Sequence, residues 1–171
     1  MENLIEDVLT IGKLDSTSVI ENIQEFKLWE VLDGTITMLR GMGFSDRRIH
    51  VEGLDQEWSM RGDLSLIELI FRNLLENACK YSESVIELRF EFSAHQVHIR
   101  CKDDGIGIPA SELDVIFEPF KRASNTEGVK GTGLGLPIVK KSIEKIGGRI
   151  GVESIEGQGS CFMVDLPLQV K

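Results

Sequence analysis

The sequence predicts an α+β fold, a largely antiparallel sheet with helices on one face, and three observations carry the prediction. Ile67, Ile70, Phe71, Leu74, Leu75 and Ala78 recur at helical spacing and share one broad arc. Segments around 49–54, 58–61, 85–92, 96–102, 149–154 and 160–166 have the lengths and apolar patterning of strands. The order of these elements, strand pairs set between helices, builds a layered sheet-and-helix domain.

With 171 residues, 42% hydrophobic and 27% charged, the chain can bury one sizeable core and carry a short appendage. No apolar run of about 18 residues is available to span a bilayer, and the acidic N-terminus lacks the pattern of a signal peptide, so the expected setting is soluble and cytoplasmic. Cys79, Cys101 and Cys161 are far apart, without a C-x-x-C or a nearby His, and read as small core residues rather than a zinc site. The formal net charge of -9 argues against a general nucleic-acid surface. Within it, residues 121–149 hold Lys121, Arg122, Lys130, Lys140, Lys141, Lys145 and Arg149 against Glu127 and Glu144, a local cationic patch suited to a small anion.

Taken in order, residues 1–14 space Leu4, Val8 and Ile11, with Ile5 and Leu9 beside them, as a helix too short to stand alone. It reads as the end of something longer, docked on the domain or cut from a coiled partner. A polar stretch at 15–25 suggests a linker. A short strand over 26–29 and a helix over 31–42 follow, then the strand candidates at 49–54 and 58–61, joined by Asp55-Gln-Glu57. Asp63 is placed to cap the next helix. Two strands at 85–92 and 96–102 precede a short helix over 111–115 and a polar, aperiodic segment from Lys121 to Lys130 that reads as mobile. Pro137 suits the first turn of a helix reaching Ile146, and Gly147-Gly148 ends it before the last two strands.

The central helix places amides where hydrocarbon is expected. Asn73, Asn77 and Lys80, with Tyr81 beside them, line up at the border of the apolar arc, while Glu68, Arg72 and Glu76 face the opposite way, toward water. A half-buried amide without partners costs on the order of 1–3 kcal/mol. Backbone or water can satisfy such a pair, and so can a ligand. Asp103-Asp-Gly-Ile-Gly-Ile-Pro109 puts a carboxylate at a strand end with two glycines behind it, either a tight turn or an acceptor for an amine. Gly131-x-Gly-x-Gly135 precedes a helix, where free N–H groups and the helix dipole suit phosphate; its spacing is neither that of a dinucleotide-binding strand-turn-helix nor that of a P-loop.

Together and in this order, N-L-L-x-N-A-x-K-Y, D-x-G-x-G, F-x-P-F, G-T-G-L-G-L and G-x-G-S-x-F resemble the ATP-binding catalytic domain of sensor histidine kinases, over about residues 24–168. The wider superfamily includes gyrase, heat-shock chaperone and mismatch-repair ATPases. The resemblance implies the Bergerat fold, a two-layer sandwich of a mixed, largely antiparallel sheet covered on one face by helices. Asn77, helped by Asn73, would ligate Mg²⁺, Lys80 would reach a phosphate, and Tyr81 would pack near the adenine. Asp103 would accept the adenine amine, with Gly105, Gly107 and Ile108 giving close access. Phe117 and Phe120 would hinge a lid over 118–132, from which Arg122, and less directly Lys121 and Lys130, would approach the terminal phosphate. Gly131, Gly133 and Gly135 would wrap the phosphates, with Thr132, Leu134 and Leu136 completing the nucleotide set. Gly157 to Phe162 would support the site.

The implied reaction is transfer of the ATP γ-phosphoryl group to a histidine on a separate dimerisation domain of the same kinase, with a downstream response regulator as further partner and no nucleic acid or direct membrane contact. His50, His95 and His98 lack the phosphoacceptor pattern and read as structural or surface residues. Residues 1–16 resemble the end of a dimerisation helix, 17–23 a linker, and 24–171 the catalytic domain. Three other readings share the nucleotide boxes. A chaperone- or gyrase-type ATPase would need a Glu where Asn73 stands; a serine kinase and a nucleotide-binding module acting through conformation alone are the others.

Overall fold

The computed structural model describes residues 2–16 and 22–169. Most of the expected linker lies outside those residues. The elements are α1 (Glu2–Ser16), β1 (Ile23–Lys27), α2 (Leu28–Gly41), β2 (Arg48–Glu52), β3 (Ser59–Asp63), α3 (Leu64–Tyr81), β4 (Val85–Phe92), β5 (Gln96–Asp103), α4 (Gly135–Lys145), β6 (Arg149–Ile155) and β7 (Gly159–Pro167). Single 3-10 turns at Ala110–Glu112 and Ser124–Thr126 lie between β5 and α4.

The main sheet has five strands in the order β2-β4-β5-β7-β6. Only β2 with β4 is parallel, because β3 and α3 intervene and return the chain in the same direction. The pairs β4–β5, β5–β7 and β6–β7 are antiparallel. A separate two-stranded ribbon pairs β1 with β3. The segments at 49–54 and 58–61, adjacent in sequence, therefore belong to different sheets. The first strand and helix also begin earlier than their sequence signals, at Ile23 and Leu28.

One face of the five-stranded sheet meets α3 and α4. On β4, Ile86, Leu88 and Phe90 are buried and alternate with exposed charged residues. On β5, Val97, Ile99 and Cys101 do the same. Against them α3 buries Ile67, Ile70, Phe71, Leu74, Leu75 and Ala78, each large side chain contributing roughly 1.5–3 kcal/mol. Phe71 meets the edge of Phe90 with ring centroids 6.3 Å apart, fixing helix against sheet.

Both ends of α3 are tied. Asp63 caps the start, its Oδ1 accepting from the backbone N–H of Ser65 at 3.0 Å and of Leu66 at 3.4 Å. At the other end Arg47 donates from Nε to the Cys79 carbonyl at 3.0 Å. The functional residues of this helix are thus mounted on a rigid, doubly anchored rod. The three cysteines are free thiols within the core, where burial pushes Cys79 up to about 11 and Cys101 higher still.

Candidate functional site

Strand alternation explains Asp103. Counting by twos from Val97 through Ile99 and Cys101 reaches Asp103 on the same inward face, at the point where the core ends. The carboxylate is buried, with 4% of its surface exposed. Burial pushes its pKa above the ordinary carboxylate range, and the N–H groups of Gly105 and Ser160 pull partly against that shift. The Gly105 bond to Oδ1 is 3.0 Å.

Asp104 faces outward and plays a different part. It accepts the backbone N–H groups of Glu83, Ser84 and Val85 at 3.0 Å each, and the Ser84 hydroxyl at 3.1 Å. Desolvation raises its pKa, but the bonds from Ser84, Val85 and Glu83 together outweigh it and hold the carboxyl below its usual range. This carboxylate fastens the segment leaving α3 to the segment leaving β5. Gly105 lets the two approach: a Cβ there would lie 1.9 Å from the Tyr81 carbonyl oxygen. Gly107 has φ +63 and would carry a Cβ 2.1 Å from the Ile155 carbonyl oxygen, so only glycine fits.

Between α3, this turn, the segment 106–133 and the start of α4 lies a cavity of about 800 Å³. Every position assigned from the sequence to nucleotide or metal lines it, except Gly105 and Leu134. Gly105 is spent on the backbone approach just described. Leu134 is fully buried in the position before α4, its side chain turned inward, away from the cavity. Phe117 and Phe120 flank rather than line the space. Phe120 has φ 64, a conformation that costs a bulky residue of order 1–3 kcal/mol, and its N–H donates to the Gly133 carbonyl at 3.0 Å.

The amides are satisfied unequally. Asn73 is buried and its Nδ2 donates to the Leu69 carbonyl at 2.9 Å, so backbone does satisfy half of this side chain. That bond turns Oδ1 toward the start of α4, where it lies 3.3 Å from a Cβ built on Gly135; the Asn77 carboxamide reaches the same point, Nδ2 at 3.7 Å and Oδ1 at 3.8 Å. Two carboxamides thus meet beside a helix N-terminus, and their oxygens are hard donors of the kind that suits Mg²⁺ together with phosphate. Tyr81 closes the other side, its hydroxyl 3.9 Å from a Cβ built on Gly131.

Two cations are engaged within the protein. Lys80 Nζ pairs with Glu76 Oε1 at 2.7 Å. Glu76 is half-buried and lines the cavity, and Arg72, exposed as expected, lines it too: the cleft extends past the helix border on which the amides lie. Arg122 donates from Nη2 to the Thr126 carbonyl at 3.0 Å and also bonds the Val129 carbonyl, so it clasps its own loop. Asn125 ties that loop to the Gly107 carbonyl at 3.0 Å. The polar, aperiodic segment from Lys121 to Lys130 is thus internally bonded around the turn at Ser124–Thr126.

Ser160 and Phe162, within the segment expected to support the site, line the cavity, and Ser160 also supports Asp103. Other cavity residues had no sequence signal. Ile106 and Ile116 add apolar wall. Met38, Met42 and Phe44 enter from α2 and the turn after it, and Leu4, Glu6 and Asp7 from α1. Nothing in local periodicity marks the α1 and α2 positions, because they arrive through tertiary packing. His50, His95 and His98 are all outside the cavity, and His98 pairs with Asp165 at 2.6 Å on the outer face of the sheet.

The sequence model of the histidine kinase-, DNA gyrase B-, and HSP90-like ATPase family matches residues 62–170. Sensor protein kinase WalK of Staphylococcus epidermidis is 34% identical over 180 aligned positions, covering 99% of this chain and 29% of that protein. Sensor protein GacS of Pseudomonas syringae is 32% identical, covering 97% of this chain and 19% of that protein. Among solved structures, a mycobacterial sensor histidine kinase, MprB, superposes with a TM-score of 0.73 at 28% identity, covering 85% of this chain and 97% of that one. The chain thus spans less than a third of the length of these two sensor proteins.

Proposed function

Since the chain belongs to the histidine kinase-, DNA gyrase B-, and HSP90-like ATPase family, as a catalytic domain of the histidine-kinase type, we propose that its cavity binds Mg²⁺-ATP and delivers the γ-phosphoryl group to a histidine on a separate dimerisation domain. The meeting of the Asn73 and Asn77 carboxamides beside the N-terminus of α4 carries this reading, because hard oxygen donors next to free backbone N–H groups suit a cation and phosphates sharing the space.

Asp103 accepts the adenine amine, and the fixed turn behind Gly105 sets its reach. Asn73 and Asn77 hold Mg²⁺, which when bound draws charge from the phosphate oxygens as the γ-phosphoryl group leaves. The glycine segment 131–135 presents backbone N–H groups to the phosphates, and Lys80 exchanges Glu76 for a phosphate oxygen. Arg122 releases its loop carbonyls to reach the terminal phosphate. The protein's contribution is mainly positioning and charge stabilisation, in keeping with phosphoryl transfer generally. The accepting histidine lies on the dimerisation domain, to which residues 1–16 belong in this reading, and a response regulator takes the group onward.

Glu76, inside the cavity, supports a second reading, in which it activates water and ATP is hydrolysed. Incubating the chain with γ-radiolabelled ATP, Mg²⁺ and a dimerisation domain from a relative separates the two. Label on the acceptor histidine is the expected result. Label released only as inorganic phosphate, and lost in Glu76→Gln, favours hydrolysis and overturns the transfer reading.

A further inference from the structure

The helix α1 does more than rest against the domain. Its half-buried residues are Asp7, Thr10, Ile11 and Leu14, at the spacing of one helical face, and this face packs on α4. The apolar Leu4, Ile5, Val8 and Leu9, which the sequence pattern groups with Ile11, remain largely exposed. The docked face thus holds the Asp7 carboxylate together with Ile11 and Leu14.

That carboxylate reaches the phosphate-binding loop. The Thr132 hydroxyl donates to Asp7 Oδ2 at 2.8 Å and accepts from the Leu134 N–H at 3.3 Å. Its single proton is thus committed to Asp7. Asp7, Glu6 and Leu4 line the same cavity as Asn77 and Lys80. Farther along α1, Asp15 pairs with Lys141 of α4, fixing the helix at a second point. Two other phosphate-directed cations are engaged as well, Lys80 by Glu76 and Arg122 by its loop carbonyls. A polyanion entering here meets Thr132, Lys80 and Arg122 already bonded within the protein and two added negative charges, Glu6 and Asp7.

We propose that docked α1 is an autoinhibitory strap, with the Asp7 carboxylate standing at Thr132 in the place of a nucleotide phosphate oxygen. This rests on the nucleotide reading of the cavity. Nucleotide and α1 compete for the glycine segment, so each weakens the other's hold by the same factor. Adenine recognition at Asp103, on the opposite side, is not part of the competition.

The test compares wild type, Asp7→Ala and Asp7→Asn in the full chain, titrated with Mg²⁺-ATP and, separately, with adenosine. Asp7→Ala should tighten ATP binding about tenfold, the scale of one charge-assisted hydrogen bond in a partly exposed site, and leave adenosine affinity unchanged. Asp7→Asn, which keeps an acceptor but loses the charge, should gain less. In a Thr132→Val background the gain from Asp7→Ala should shrink to the part due to charge alone. Hydrogen exchange across residues 4–14 should rise when Mg²⁺-ATP binds wild type. ATP affinity unchanged or weakened in Asp7→Ala, or an equal gain for adenosine, overturns the strap while leaving the nucleotide site standing. Absence of any ATP binding by all three proteins overturns both.

Discussion

Replacing Asp103 by Asn isolates base recognition from folding. In the folded protein Oδ1 takes the Gly105 N–H at 3.0 Å and the carboxylate also takes the Ser160 N–H, so an Asn oxygen directed at these two donors keeps the turn intact. The exchange also removes a buried charge whose desolvation already raises its pKa. The two effects on stability oppose each other, and thermal unfolding should shift by no more than about 1 kcal/mol equivalent. The Asn Nδ2 then occupies the remaining position and points two N–H donors at the adenine amine, itself a donor. Loss of the charge-assisted bond costs about 1.5–3 kcal/mol, roughly a 10- to 150-fold weaker ATP complex. A base with a carbonyl at that position, as in GTP or ITP, accepts from Nδ2 instead and should lose little or gain. Calorimetric titration with ATP, GTP and ITP on wild type and Asp103→Asn provides the readout. Equal weakening for ATP and GTP would refute the assignment of Asp103 to the base.

Asn77→Ala should abolish the Mg²⁺ dependence of ATP affinity with stability changed by less than about 1 kcal/mol, since the side chain is only half-buried, as titrations with and without chelator would show. Gly135→Ala places a methyl 3.3 Å from Asn73 Oδ1, tighter than a comfortable contact, and should weaken ATP binding several-fold, about 1 kcal/mol, in an unfolding-neutral background. The raised pKa of Asp103 means that its ionised form, the better amine acceptor, is lost at higher pH than for an ordinary carboxylate near about 3.9. ATP affinity should therefore fall, as pH is lowered, before the usual carboxylate range is reached, and the fall should be missing in Asp103→Asn. Asp104 has the opposite sign. Its folded pKa is depressed, so its contribution to stability is present above the unfolded carboxylate pKa and disappears as pH falls through the folded one, a pH-dependent loss that Asp104→Ala should lack in acid unfolding.

Much of this architecture was readable from local pattern. The arc of Ile67, Ile70, Phe71, Leu74, Leu75 and Ala78 defines the buried face of α3, and Asp63 caps it where the sequence placed the start. The strands expected at 85–92 and 96–102 are β4 and β5 to within one residue, because antiparallel strands with one wet face carry a clear period of two. Gly105 and Gly107, expected as a tight turn or as close access for a base, let backbone meet backbone at Tyr81 and Ile155, and of the two Gly107 lines the cavity.

What local pattern could not carry is contact between distant segments. The segments 49–54 and 58–61 look like neighbours, yet one joins the main sheet through β4 and the other pairs with β1, since strand partners are chosen by long-range packing. Glu76 belongs by helical angle to the wet side of α3, but the cavity wraps around that side and Lys80 reaches back to it. Asp7 lies 125 residues from Thr132 along the chain, and the apolar stripe beside it carries no sign of that contact. Leu134 stands within a glycine box, but its side chain serves the core.

The central claim, that the cavity bounded by α3, Asp103 and the glycine segment is a Mg²⁺-dependent ATP site, is tested most directly by calorimetry with a nonhydrolysable ATP analogue in the presence and absence of Mg²⁺. Binding that weakens markedly when Mg²⁺ is chelated, and that loses this sensitivity in Asn77→Ala, is the predicted result. Binding of equal strength with and without Mg²⁺, or no binding at all, would contradict it.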